Sequence, residues 1–397
     1  MRFLHLKYFG NLPMQKKIVV VAFVLCIYSW FLAPFSKYYI SDIEIYFSIA
    51  SLLLLTVCGQ RMISRTNFNI SFHYSLACFV IIFLPVLIYG EFPFVSVLAK
   101  LLFAAGFIAL KNEYKLAIYD VFLSYFVILL FLGLIEFALL FVNVNFFWAI
   151  VNRGGAMDFY QGIFILVPSY FVNGSFRFMS LCEEPGTLGT ICFFFLITLD
   201  YNNNKFKYLI LLFAGLVTFS LGYYVLLILW SAFHIRKIDF SKLLIASIVI
   251  FAVYFSLGSI FQDRIIDRIS GRSVKEIDNR TNEAVDRKLQ EVVDNGTIIY
   301  GLGNRSFYEW ETKVSGVSAG AKNFILQYGI ISLIILVISF SYVIFRVRGL
   351  NRHTILVILF FWISFYKSNM WNNPAILLAL LAISTNMFRD KLIFKKS

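Results

Sequence analysis

The sequence predicts an all-α, polytopic integral membrane protein of about 12 transmembrane helices with two long outer loops. Three observations carry that prediction. Of the 397 residues, 60% are hydrophobic and 14% charged, with a mean hydropathy of +0.80. A soluble domain is nearer half apolar and a quarter charged, so a core of this size has no room for the surplus. Apolar runs approaching the length of ~20 residues that crosses a bilayer core recur along the chain. Finally, Lys and Arg gather in alternate connections between those runs, as in proteins that thread back and forth through a membrane.

The first run, Ile18–Phe35, follows Lys16-Lys17 and lacks a small-residue cleavage site, so it reads as a span and not as a removed signal peptide. Ile43–Gly59, Ile70–Tyr89, Phe94–Leu110, Leu116–Val142 and Gly186–Leu199 follow. The stretch Tyr208–Phe233 is either one long span or two short ones broken at Ser220-Leu221-Gly222. Phe240–Phe261, Asn323–Phe345, Thr354–Tyr366 and Pro374–Phe388 complete the set.

The distribution of positive charge chooses the broken form. With the break, both termini are cytoplasmic. Arg61 and Arg65, Lys111 and Lys115, Lys205 and Lys207, Arg236–Lys242 and Arg346–Arg352 then all fall inside. The short outer connections keep only Lys37 and Lys367. Without the break the last basic clusters would face outward. The net charge of +13 is therefore expected to record topology, with no nucleic-acid partner implied. The expected layout is spans one to five over 1–142, a first outer loop over 143–185, and spans six to nine over 186–261. A second outer loop over 262–322 and spans ten to twelve over 323–397 follow.

The outer loops are expected to hold short interfacial or amphipathic pieces. In the first, Phe146–Val151 and Ile163–Phe171 are apolar but too short to span, and read as interfacial or re-entrant pieces. In the second, Thr281–Asn295 has helical periodicity, with Val285, Leu289, Val292 and Val293 as its apolar stripe and Gly296 as a C-terminal cap.

Several chemistries are excluded on the outer face. His5, His73, His234 and His353 lie in cytoplasmic segments or inside the third span, so neither loop offers a histidine to a zinc site or to a Ser-His-Asp triad. Cys26, Cys58, Cys78 and Cys192 sit in apolar runs and Cys182 stands alone, without metal-ligand or disulfide spacing. Gly301-Leu302-Gly303 is a lone GxG and reads as a tight turn. No resident metal or cofactor is expected.

What the outer loops concentrate is arginine beside carboxylate. Arg177 precedes Glu183 and Glu184 just before the sixth span, and Arg264, Arg268, Arg272, Arg280, Arg287 and Arg305 cluster in the second loop. Arg280 and Arg287, one heptad apart, share a face if the helix is continuous. A guanidinium fork matches a diphosphate oxyanion and stays charged. Arginines in a loop with as many acids as bases also commonly form surface ion pairs, and both readings stay open at this level.

The stretch Arg177–Gly189, RFMSLCEEPGTLG, resembles the signature R-F-x-S/G-x-x-x-E-P-x-x-x-G/A that precedes the sixth span of bacterial O-antigen polymerases (the Wzy family) and related O-antigen ligases. Ile298–Asn304, IIYGLGN, followed by Lys322–Gly329, KNFILQYG, is similar to the block with which that family enters its tenth span. Arg280 stands where the family has an arginine ahead of its Gly-x-Gly turn. The pairs Arg280–Gly296 and Arg287–Gly303 fit an arginine-x15-glycine spacing, and the break at Ser220–Gly222 matches the family's short paired spans.

The resemblance implies a metal-independent glycosyltransferase of the bacterial inner membrane. Its donor would be an undecaprenyl-diphosphate-linked oligosaccharide, its acceptor a second lipid-linked repeat unit, and a chain-length regulator its protein partner. Arg177, Arg280 and Arg287 would stabilise the departing diphosphate, with Arg264, Arg268, Arg305, Lys322 and Asn323 on the substrate behind them. Glu183 or Glu184 would serve as base, or else pair with Arg177 or cap the sixth span. Lys322 occupies the place of the ligases' histidine, which favours a polymerase over a ligase. Among charges in or near spans, Lys100 and Asp120 lie close enough to span ends to reach the interface, leaving Glu136 as the intramembrane functional candidate. A transporter or flippase would show repeated halves and charges around a midplane site, whereas the sequence has no repeat and few midplane charges.

Overall fold

The computed structural model describes residues 7–31, 43–90, 95–141, 149–152, 158–168, 178, 180, 182, 185–199, 204–234, 283–314, 320–367 and 373–381. Its helices are α1 (Lys7–Gly10), α2 (Met14–Phe31), α3 (Ile43–Cys58), α4 (Arg65–Tyr89), α5 (Val95–Ala109) and α6 (Asn112–Phe141). They continue as α7 (Pro185–Thr198), α8 (Lys205–Val217), α9 (Leu221–His234), α10 (Glu283–Asp294), α11 (Asn304–Glu311), α12 (Gly320–Arg348), α13 (Arg352–Lys367) and α14 (Pro374–Leu381). Every predicted span carries a helix except Phe240–Phe261, which lies outside the described residues.

Length qualifies the prediction. Among the described residues three helices are long and apolar enough to cross a membrane: Arg65–Tyr89, Asn112–Leu140 and Gly320–Arg348. Ile45–Cys58, Val97–Ala109, Pro185–Thr198, Leu221–Phe233 and Arg352–Tyr366 are apolar but shorter. At 1.5 Å rise per residue, the 14 residues of α7 reach about two-thirds of a ~30 Å hydrocarbon core.

The chain divides into two compact units, Met1–Ile128 with Arg280–Ser397, and Leu129–Asn279, the division falling within α6. In the first unit α2 packs on α3, α4 on α5 and α12, and α13 on α12. The burial on α4 is inverted relative to a soluble helix. Ile70, Tyr74, Cys78 and Ile81 face protein, while Phe68, Phe72, Leu76 and Phe79, all more than half exposed, form a continuous apolar stripe outward. A soluble helix puts polar side chains there, so this stripe fits a hydrocarbon solvent.

Segments that the charge pattern assigns to one side do meet in the first unit. Lys16 Nζ donates to Tyr114 Oη at 2.6 Å, and the amide of Lys111 donates to the Met62 carbonyl at 2.8 Å. Arg348, 2% exposed, donates from Nη1 to the Leu380 carbonyl at 3.0 Å and so ties the end of α12 to α14. That arginine is a structural tie as well as a topological signal.

Two helices are interrupted, and each interruption is filled by the backbone of a loop. In α12 the helical dihedrals fail at Gly329 (φ 82°, ψ 171°), freeing carbonyls of the preceding turn. The amides of Leu302 and Gly303 donate to the carbonyls of Leu326 (2.7 Å) and Gln327 (3.2 Å). Tyr89 Oη donates to the Gly301 carbonyl and holds the same loop against the end of α4. In the second unit the chain breaks between α8 and α9, with Phe219 at φ 48°. There the Phe178 amide donates to the Val217 carbonyl at 3.1 Å, and the Tyr224 hydroxyl donates to the Leu216 carbonyl at 2.7 Å. The observed break, Thr218–Ser220, thus lies two residues before the predicted one at Ser220–Gly222.

The first long loop departs from expectation. Where interfacial or re-entrant pieces are expected, its described residues hold a three-stranded antiparallel sheet, β1 (Ala149–Asn152), β2 (Asp158–Gln161) and β3 (Leu166–Pro168), in the order β1-β2-β3. Ile150 pairs with Tyr160, and Tyr160 with Val167. The cause is legible afterwards: β-branched and aromatic residues in runs of three or four, separated by Gly154-Gly155, suit a hairpin better than a helix.

The glycines at these contacts permit a graded test. A Cβ on Gly301 would lie 2.7 Å from the Gln327 carbonyl, whereas one on Gly296 would meet nothing within 4 Å, although both have positive φ. Gly296→Ala should cost only the left-handed strain of about 1 kcal/mol. Gly301→Ala adds a backbone clash and should lower the midpoint of thermal unfolding in detergent by a much larger amount. Equal shifts would contradict the plug.

Candidate functional site

The second long loop builds its site by splitting the faces of two helices. On α10, Val285, Leu289 and Val292 point inward and join Phe307, Leu326, Ile298, Leu302 and Trp310 in one apolar cluster. Val293, predicted on that stripe, is 43% exposed, because position i+8 has turned past the edge of the contact. Gly296 does end the helix region in the left-handed conformation, at φ 70°.

Helix α11 has three faces. Phe307 and Trp310 enter the cluster, and Arg305 and Glu309 point to solvent as an exposed 2.8 Å ion pair. Asn304, Tyr308 and Glu311, at i, i+4 and i+7, form a polar stripe between them. On α12 Asn323 and Gln327 form a matching pair one turn apart. The two stripes meet where Gln327 Nε2 donates to Asn304 Oδ1 at 2.9 Å, a buried bond that aligns both side chains. Asn323 is 7% exposed and its Oδ1 has no hydrogen-bond partner. A buried amide oxygen without a donor costs roughly 1–3 kcal/mol, and that cost would be recovered by a hydroxyl or N–H supplied by a ligand.

The electrostatics of this seam are set by burial. Burial raises the Glu311 carboxyl above its ordinary value. Burial likewise raises the Tyr308 phenol, the Glu311 charge adds to that, and a hydrogen bond with the Gln327 side chain opposes it. Lys322 Nζ is held by Asp286 Oδ1 at 2.5 Å, so the ammonium at the entrance to α12 is anchored to α10. Such a part-exposed pair contributes at most about 1 kcal/mol, and its use is positional.

Of the residues singled out by sequence, Arg177, Glu183, Glu184, Arg264, Arg268 and Arg280 lie outside the described residues. Lys322 and Asn323 are brought to the seam, and Arg287 is exposed on α10 beside Asp286. Arg305 is not at the seam: its guanidinium faces Glu309 on the outer side of α11. Sequence reading missed Asn304, Tyr308 and Glu311 because it followed guanidinium and took residues after Gly303 as loop; their i, i+4, i+7 spacing was the available signal.

Glu136 has a structural role. Its carboxylate accepts the amides of Ile163 (2.8 Å) and Phe164 (2.6 Å), pinning the turn before β3. The nearby signature residue Phe178 is fully buried, its ring against Phe137, and Ser180 Oγ donates to the Phe164 carbonyl at 3.2 Å. Lys100 Nζ lies over the Trp30 ring at 4.3 Å. The five cysteines are free thiols. Among the described residues no group of three His, Cys, Asp or Glu could hold a metal ion. No protein-family model, curated protein or solved structure matches the chain.

Removal of Glu136 leaves two amides without a charged acceptor. Glu136→Ala should destabilise the second unit by about 3 kcal/mol, read as early proteolysis within 149–182 while cleavage elsewhere is unchanged.

Proposed function

We propose that this protein polymerises lipid-diphosphate-linked oligosaccharide repeat units into a long surface polysaccharide at the outer face of the bacterial inner membrane. The observation that carries the reading is that both motif-bearing outer loops, the one containing Phe178 and the one containing Gly301-Leu302-Gly303, end as backbone plugs in broken apolar helices. Such plugs hold polar loop residues at the margin of a hydrocarbon phase, where a lipid-linked glycan presents its diphosphate. The exposed apolar stripe of α4 supports a lipid-embedded setting for the tail.

In this mechanism the acceptor hydroxyl attacks the anomeric carbon of the donor glycan. The bond to the lipid diphosphate breaks, and negative charge grows on the departing oxygen. Arg177, Arg280 and Arg287 stabilise that charge, while Arg264, Arg268, Lys322 and Asn323 bind substrate behind them. The twelve-span topology with both termini cytoplasmic puts these groups on the outer face, and a chain-length regulator is the expected protein partner. Lys322, clasped by Asp286 where a ligase carries histidine, supports polymerase over ligase.

The test is the length of the surface glycan. Removing one preorganised donor typically slows such a step by about 10²–10³. At unchanged protein level, Arg177→Ala or Arg280→Ala should leave single repeats where the wild type makes long chains. Long polymer in the double variant contradicts the assignment, and loss of even the single-repeat form indicates transport.

A further inference from the structure

The mechanism above requires a base for the acceptor hydroxyl, and among the described residues Glu311 is the carboxylate that shares a helix face with the seam's hydrogen-bonding groups. Glu311 lies at the C-terminal end of the stripe Asn304–Tyr308–Glu311, half-buried and thus partly accessible. The other acids of the second loop whose side chains are described have partners: Asp286 holds Lys322, Glu309 holds Arg305, Glu291 holds Lys288, and Asp294 accepts from Gln290. Behind Glu311 the seam offers hydrogen-bonding groups of the kind that read sugar hydroxyls, namely the Tyr308 phenol, the Gln327–Asn304 amide pair and the unpartnered Asn323 Oδ1.

We propose that Glu311 takes the proton from the acceptor hydroxyl, with Asn304, Tyr308, Asn323 and Gln327 forming the floor on which the acceptor sugar rests. The inference rests on the polymerase reading. The acceptor oxygen forms its bond to the anomeric carbon, and the bond from that carbon to the diphosphate oxygen breaks with its electron pair going to the diphosphate. The hydroxyl proton passes to a Glu311 carboxylate oxygen and then to water. Burial supports the role, because it brings the carboxyl closer to the pH at which a base must both accept and release a proton. Among charged and titratable groups on the packed elements, α10 brings Asp286 and Arg287, and α12 brings Lys322 and Tyr328. Lys322 is engaged by Asp286, and Tyr308 is the group whose ionisation couples to Glu311.

The experiment uses the full chain in lipid nanodiscs, supplied with lipid-diphosphate-linked repeat units extracted from the source cells, and follows polymer formation against pH. The base must be ionised, so the rate should rise with pH along an acid limb lying above the ordinary glutamate value of about 4.5. Glu311→Gln should lower the rate by about 10²–10⁴ and abolish that limb. Glu311→Asp should restore part of the rate and bring the limb back, and it decides the matter if the Gln variant fails to fold. A wild-type rate and limb in Glu311→Gln, or an unchanged rate in Glu311→Asp, overturns the assignment while leaving the polymerase reading intact. Wild-type protein that makes no polymer from these repeat units overturns the polymerase reading and the base with it.

Discussion

A carbonyl freed where a helix breaks inside apolar surroundings needs a donor, and water is not available to supply one. The rest of this structure follows from how that need is met. At Gly329 the donors are the amides of Leu302 and Gly303, and at Thr218–Ser220 they include the amide of Phe178. Each plug fixes where its loop must lie. Once Leu302 and Gly303 are bonded to α12, α11 begins at Asn304, and its polar stripe is set against Asn323 and Gln327. The lone Gly-x-Gly is a turn, as its sequence suggests, but its amides are spent on protein carbonyls and form no anion cradle.

The same constraint explains the glycines. Gly301 and Gly329 have positive φ and oppose each other backbone to backbone, where any Cβ would intrude on peptide atoms. Gly296 and Gly303 also have positive φ, so the two glycines in the arginine-x15-glycine pairs are fixed by backbone geometry whatever the arginines do. The arginine half of that spacing is a separate matter, because charge recognition and turn geometry make independent demands on the chain.

Much of the fold was legible because hydropathy has a long range and few exceptions. The apolar runs follow from hydropathy, the break in Tyr208–Phe233 from the distribution of positive charge, and the α10 stripe at Val285, Leu289 and Val292 from periodicity, with the capping glycine just past its end. Less legible were features that depend on partners distant in sequence. Glu136 reads as an intramembrane charge, yet its acceptors' work is done on amides 27 and 28 residues away. The short strands of the first outer loop each lack the length that makes alternation visible, and pairing supplies what length does not. Glu311 carried no motif at all, and only its register with Asn304 and Tyr308 marks it. The basic excess was read as topology, which Arg348 qualifies, since a buried guanidinium bonded to Leu380 also closes the end of α12.

Hydrogen exchange at single amides tests the central claim directly, because a plug and an ordinary outer loop differ by orders of magnitude in protection. In lipid nanodiscs, the amides of Phe178, Leu302 and Gly303 should exchange as slowly as those in the middle of α4 and α6. Exchange at the rate of exposed loop amides would contradict the account, since the broken helices would then have to satisfy their carbonyls by some other means.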